Sequence, residues 1–335
     1  MGKILLIMPK YFDYPDIISN GLKDMGYDVD YINDRPSTNS FIKAIIRVKK
    51  EFIGIYINNY FKKVISSISN ETYEYVILIL GQSLSFNEDM ISEIKSKQKN
   101  AEFIIYQWDS MNNLDKSKSY YKYFDKRYTF DTEDFKDNKE LLFLPLFYSP
   151  KYEELGKSPK SNFEYDFSFV GTAHPKKYKF IKEMSEKLRN VYSKQFIYYF
   201  LPSRIVYYYR KLVNPEFKTA KYSEFHFKPL TGRKMDEVIL NSKCILDTAQ
   251  SGQSGLPIRV IEALGAKKKV ITTNKTIIDY DFYNPNNIYV YNGEFDLNAP
   301  FFNSEYINID SQIYKKYSLR SWLKVLLGKD NEGVK

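Results

Sequence analysis

Apolar residues along this chain gather into short unbroken runs, and the stretches between them follow a helical period. The runs at 3–8, 75–80, 102–106, 166–170, 244–247 and 270–274 are continuous rather than alternating, the mark of strands buried on both faces of a parallel sheet. Residues 27–31, two short pieces near 127–130 and 141–144, and 193–200 add further strands. Between runs, Ile18, Leu22 and Met25 share one helical face between Pro15 and Gly26, as do Ile181, Met184 and Leu188. Ile258, Ile261 and Leu264 do the same, with Pro257 at the first helical position and Gly265 closing the turn. Residues 41–69 read as one long helix with Phe41, Ile45, Val48, Phe52 and Tyr56 on its inward stripe, and a closing amphipathic helix starts at Ser311. Strand and helix in alternation predict an α/β chain of two Rossmann-like domains with parallel sheets. The expected division is 1–150, a polar linker through 145–162, a second domain over 163–312, and a helix at 313–335 returning to the first domain.

Length, composition and charge narrow the class. A chain of 335 residues exceeds a comfortable single core. Residues 3–8 enter a strand directly with no signal-peptide pattern, no apolar run reaches a membrane span, and Cys244 is the one cysteine, so a cytoplasmic location is expected. The net charge of +9 admits nucleic acid, an anionic membrane face or an anionic substrate as partner, but 31 Tyr with abundant Lys, Asn and Ile reads first as compositional bias. The charge therefore counts only where cations cluster. The first β-loop-α-β unit lacks G-x-G-x-x-G, so no dinucleotide cofactor is expected, and two histidines with one cysteine offer no metal-ligand spacing.

Candidate chemistry lies at strand tips, where open α/β sheets bind ligands. Asp109, in Gln107-Trp-Asp-Ser110, ends one strand beside an aromatic ring able to stack on a sugar. It is a candidate general base, or else a cap for the next helix, and Asp13 at the first strand's tip is the second candidate. Asp166-Phe-Ser-Phe-Val170 ends in Gly171-Thr-Ala-His174-Pro-Lys-Lys177, where two lysines open a helix whose dipole prefers acids, a mismatch that a bound phosphate relieves. Arg259 raises the same question at the start of the helix after the glycine turn 252–255.

Gly255-Leu-Pro-Ile-Arg-Val-Ile-Glu262-Ala-Leu-Gly-Ala, followed by Val270-Ile-Thr-Thr-Asn, resembles the donor-site signature of GT-B glycosyltransferases. The wording Gly-Gln-Ser-Gly-Leu-Pro is closest to bacterial capsule, lipopolysaccharide and CgeB-like spore-maturation glycosyltransferases, and the likeness is best over 165–330. It implies a nucleotide-sugar donor, a diphosphate at the helix N-terminus with Ser254, Gly255 and Arg259, and a ribose held by Glu262. It also implies diphosphate contacts from Gly171, Thr172, His174 and Lys177, and a glycan or lipid-linked acceptor. Ser254 stands eight positions before Glu262, where retaining members usually carry a second glutamate, so the stereochemistry is open. Asp279-Tyr-Asp281 matches the D-x-D metal motif of the other large glycosyltransferase fold but comes after the nucleotide signature. It reads as a surface turn, and a metal-independent enzyme with no cofactor is expected.

The basic helix 41–69 and the basic aromatic stretch 193–213 suit an anionic membrane surface on the inner face, while nucleic acid is not expected as a partner. A sugar-nucleotide epimerase of the same double-Rossmann shape and a non-catalytic nucleotide-sugar or nucleic-acid binding protein are the alternatives.

Overall fold

The computed structural model describes residues 1–36, 54–80, 85–113, 117–157, 162–249 and 252–329. The chain forms two compact units, one of Met1–Phe147, Gln250–Leu256 and Leu319–Lys335, the other of Tyr148–Ala249 and Pro257–Ser318.

In the first unit the order is β1 (Lys3–Ile7), α1 (Tyr14–Asp24), β2 (Asp28–Ile32), α2 (Gly54–Ile68), β3 (Tyr75–Leu80), α3 (Glu88–Lys97), β4 (Glu102–Gln107), β5 (Lys126–Thr129), α4 (Thr132–Asp137) and β6 (Leu142–Phe143). The six strands run parallel in the order β2-β1-β3-β4-β5-β6. Every residue of β3 is buried, which is what a strand in mid-sheet with helices on both faces demands. Local signals set the helix ends: Pro15 opens α1, Gly26 leaves it at φ +92°, and the Asn87 side chain accepts the Met90 N–H to cap α3.

The helix Leu319–Leu326 completes this unit. Its Trp322 is 1% exposed, packed on Tyr106 at 4.9 Å and Phe147 at 4.8 Å between ring centroids. Leu319 and Leu323 lie over Gly21, where an added Cβ would come within 2.8 Å of Leu323, so glycine there sets how closely the two helices approach.

The expected helix over 41–69 lies partly outside the described residues, which take in α2 from Gly54 on. Its buried face is Ile57, Phe61, Val64 and Ile68, and Tyr56 is half exposed rather than inward.

The second unit opens with α5 (Pro150–Lys157), in residues expected to be linker. It packs on the later helix α9, described below, with Gly156 against the Gly265 carbonyl. The unit continues as β7 (Tyr165–Thr172), α6 (Pro175–Leu188), β8 (Gln195–Phe200), α7 (Arg204–Val213), β9 (Phe225–His226), α8 (Arg233–Asn241), β10 (Ser242–Leu246), α9 (Ile258–Gly265), β11 (Lys269–Thr272) and β12 (Ile288–Val290). Its sheet is parallel throughout in the order β12-β11-β10-β7-β8-β9. The chain is therefore α/β with two Rossmann-like parallel sheets, as the alternation of runs and periods predicts. His226 is exposed on edge strand β9 and stacks on Tyr198 at 3.8 Å.

Candidate functional site

The centre of the second sheet places β7 beside β10, and chemistry collects at their carboxyl ends. Asp247 follows β10 directly and is 0% exposed. One carboxylate oxygen accepts from Thr272 Oγ1 at 3.3 Å, the other from Arg259 Nη1 at 3.1 Å. Arg259 reaches it from the first turn of α9, gives its other terminal nitrogen to the Val170 carbonyl at 2.8 Å, and lies over the Phe169 ring at 5.4 Å. The cation that stands awkwardly at a helix N-terminus thus has a buried protein carboxylate as its partner. Gly171 makes room for this, since a Cβ there would meet Arg259 Nη2 at 3.1 Å and Phe169 Cζ at 3.0 Å.

Next to this pair, the β7–α6 turn carries an excess of positive charge. His174 is the N-cap of α6, Pro175 follows, and the first turn of that helix holds no acid. The first-turn N–H groups of a helix have no intrahelical acceptor, and the dipole adds to their positive field. Lys177 has no side-chain hydrogen bond or ion pair among the described residues. Its pKa is lowered, by burial first and then by Arg259, with Asp247 opposing. His174 is exposed as a residue, yet its pKa is also lowered, by burial of the imidazole first, then by Arg210 and Lys177. Arg210 comes from α7, donates to the Ala173 carbonyl and is itself lowered by burial. Arg259 and Lys177 thus stand near the buried Asp247 carboxylate, and Arg210 and Lys177 near His174. Burial disfavours the protonated form of all three groups, and for His174 and Lys177 a neighbouring cation adds to it, an effect that an incoming anion would offset.

Glu262 lies one turn beyond Arg259. It is buried and borders a small hollow with Val170, Met235, Ile239, Arg259 and Ala263. The structure thus gathers Gly171, Thr172, His174, Lys177, Arg259 and Glu262 in the second unit.

Ser254 and Gly255 are placed differently. They belong to the first unit, where Asp131, the N-cap of α4, takes the N–H of Ser254 at 2.8 Å and of Gly255 at 3.2 Å, with the Ser254 hydroxyl. Ser254 Oγ also accepts from Thr132 Oγ1 and the Glu133 N–H, each at 2.9 Å. A Cβ on Gly255 would sit 2.7 Å from the Phe130 carbonyl oxygen, so the glycine is required by close packing. These two N–H groups, which the resemblance assigns to a diphosphate, are already given to a protein carboxylate. Pro257 serves as N-cap of α9 rather than its first residue.

Asp109 is buried in the first unit and accepts the Ser110 N–H at 2.9 Å. Trp108 beside it is packed among Tyr14, Tyr106 and Phe147, so its ring is committed to protein contacts. Asp13 is exposed, the N-cap of α1 without a side-chain cap bond, and the Tyr14–Trp108 contact at 5.3 Å joins the two strand tips. Asp281 of the D-x-D stretch binds Lys316 at 2.6 Å and the Tyr317 hydroxyl. Among the described residues no group of three or more His, Cys, Asp or Glu could hold a metal ion.

Asp247, Arg210 and Asp131 were not singled out from sequence. Asp247 had a usable signal, an acid ending an apolar run that aims at a ligand edge. Arg210 sits among tyrosines and Asp131 in a polar stretch, with nothing local to mark either.

The lowered pKa of Lys177 gives a test. Charging this lysine costs more in the folded than in the unfolded chain, a penalty full at neutral pH that fades as pH rises from the lowered folded value toward the ordinary 10.5. Lys177→Met is expected to melt at or above the wild-type temperature at pH 7. The difference should shrink as pH approaches 10, and thermal unfolding of both proteins across that range checks it.

No protein-family model and no curated protein matches this chain. Among solved structures, a glycosyltransferase from Rickettsia africae ESF-5 is similar over 99% of this chain and 99% of its own, with a TM-score of 0.56 at 11% identity. Anabaena Alr3699/HepE, solved in complex with UDP and glucose, is similar over 98% of this chain and 100% of its own, with a TM-score of 0.57 at 10% identity. At such identities the likeness is one of fold. The chain has a glycosyltransferase-like fold, two Rossmann-like units of the GT-B class.

Proposed function

We propose that this protein transfers a sugar from a nucleoside-diphosphate sugar to a hydroxyl of a surface polysaccharide or lipid-linked glycan precursor. The observation that carries the reading is the cationic cluster of His174, Lys177, Arg210 and Arg259 around the start of α6. Such a cluster matches the charge a leaving diphosphate develops when the bond from its oxygen to the sugar's anomeric carbon breaks. Lys177 and the first-turn N–H groups of α6 meet that charge, with Arg259 held behind them by Asp247. Glu262, bordering the hollow beside Arg259, binds the ribose hydroxyls. The acceptor oxygen forms the new bond to the anomeric carbon, and its proton passes to Asp109 or Asp13 if the configuration inverts. Protein cations answer the diphosphate, so the reading calls for no metal. The enzyme acts on capsule- or lipopolysaccharide-type glycans from the cytoplasmic side, as a peripheral protein of the inner membrane face.

A thermal-shift panel of sugar nucleotides tests this, because a ligand bound only by the folded state at 100 times its Kd adds about 2.7 kcal/mol of stability. One nucleotide class, with uridine diphosphate sugars tried first, should raise the melting temperature, free pyrophosphate should compete, and single-stranded oligonucleotides should not. Turnover of that sugar nucleotide should require an acceptor and fall in Glu262→Ala. Turnover without acceptor to an isomeric sugar nucleotide would make the protein an epimerase instead.

A further inference from the structure

Helix α7 turns one face inward and leaves the other uncovered. Tyr207 is buried with its hydroxyl on the Ala220 carbonyl at 3.1 Å, and Arg210 points to the Ala173 carbonyl. On the far side Ile205, Tyr208, Tyr209 and Leu212 are 79, 63, 64 and 86% exposed. Their spacing of three, four and seven residues is that of a single apolar stripe, the pattern by which a helix normally buries itself. Tyr208 stacks on Tyr222 at 6.2 Å and extends the stripe sideways.

The surroundings of the stripe are cationic. From 204 to 221 the chain carries Arg204, Arg210, Lys211, Lys218 and Lys221 against the single acid Glu216, and all these cations except Arg210 are exposed. An apolar stripe with tyrosines at its edge and lysines around it complements an anionic lipid surface, tyrosine resting at headgroup depth. A second copy of the chain fits less well, because an isologous contact would set Arg204, Lys211, Lys218 and Lys221 against their own counterparts. No helix among the described residues is long and apolar enough to cross a membrane, so any such contact is interfacial.

We propose that α7 docks the protein on an anionic bilayer through Ile205, Tyr208, Tyr209 and Leu212, with Lys218, Lys221 and Arg204 on the lipid headgroups. This deepens the reading of a lipid-linked acceptor and rests on that reading for its purpose. The inner face of the same helix holds Arg210 against the His174 turn, so the docked surface and the cationic cluster share one element.

Sedimentation of the full chain with vesicles provides the test. Vesicles of phosphatidylglycerol and phosphatidylcholine should bind at least about tenfold more tightly than pure phosphatidylcholine, more so at low salt, given roughly 1 kcal/mol per basic residue near an anionic surface. The double variant Ile205→Ser with Leu212→Ser should lose at least about tenfold of that binding while its melting temperature and its nucleoside diphosphate binding stay unchanged. Arg204→Gln with Lys218→Gln should weaken the binding and flatten its salt dependence. The inference is overturned if the wild-type chain stays in the supernatant, or if the Ile205/Leu212 variant binds vesicles undiminished. A lipid-free dimer that this variant abolishes would also overturn it. Unchanged nucleotide binding in any of these cases leaves the transferase reading standing.

Discussion

Arg259→Gln is expected to destabilise the second unit by about 3 kcal/mol, because it leaves the buried Asp247 carboxylate without its ion-pair partner, with Thr272 as the remaining hydrogen-bond donor among the described residues. Asp247 is fully enclosed, so its charge cannot recover the lost partner from water, and the Val170 carbonyl loses its donor as well. The partial exposure of Arg259, 23% of its side chain, keeps the figure at the lower end for a broken buried pair. Adding Asp247→Asn to Arg259→Gln removes the stranded charge and should return most of the stability. The double variant leaves the net charge of the turn unchanged, so any nucleotide binding it still lacks reports the missing guanidinium itself. Denaturant unfolding of the two single variants and the double variant gives the coupling between them. A double variant no more stable than Arg259→Gln would mean the pair does not carry the stability assigned to it.

Asp131→Ala should cost the first unit about 3–5 kcal/mol. The Asp131 carboxylate takes the N–H groups of Glu133, Asp134, Ser254 and Gly255 and the hydroxyl of Ser254. It is 1% exposed and its bonds to Asp134, Ser254 and Gly255 are buried, so those donors would be left in a place water does not reach. Asp131→Asn keeps one accepting oxygen and replaces the other with a donor facing donors, so it should recover less than half the loss. Urea unfolding followed by a signal from the first unit distinguishes the two variants. If Asp131→Ala unfolds within about 1 kcal/mol of wild type, the knot at Ser254 is not structural.

How far sequence reading reached depends on how local each cause was. β3 was legible because six consecutive apolar residues have one stable use in a chain of this class. The lysines at the head of α6 were legible because a helix end states its preference for charge within a single turn. Tyr56 was misplaced because a stripe followed from 41 onward loses phase over several turns, and α2 buries Ile57 instead. Residues 150–157 looked like linker because α5 is short and polar, and its helix depends on packing against α9, far along the chain. The role of Ser254 was beyond local reading. Its partner Asp131 lies 123 positions away, and the same glycine-rich turn that suits a phosphate also suits a capping carboxylate. Arg259 stands in its own segment as a cation in need of an anion, and the anion beside it is Asp247, twelve residues earlier at the end of β10.

A diphosphate site at the β7–α6 turn requires that turn to be short of negative charge, and calorimetric titration of nucleoside diphosphates, one for each base, into wild type and Lys177→Met measures this directly. Wild type should bind at least one of them, with pyrophosphate displacing it, and Lys177→Met should bind at least about tenfold more weakly at an undiminished melting temperature. Equal affinity in the two proteins would contradict the assignment of this turn as the diphosphate site.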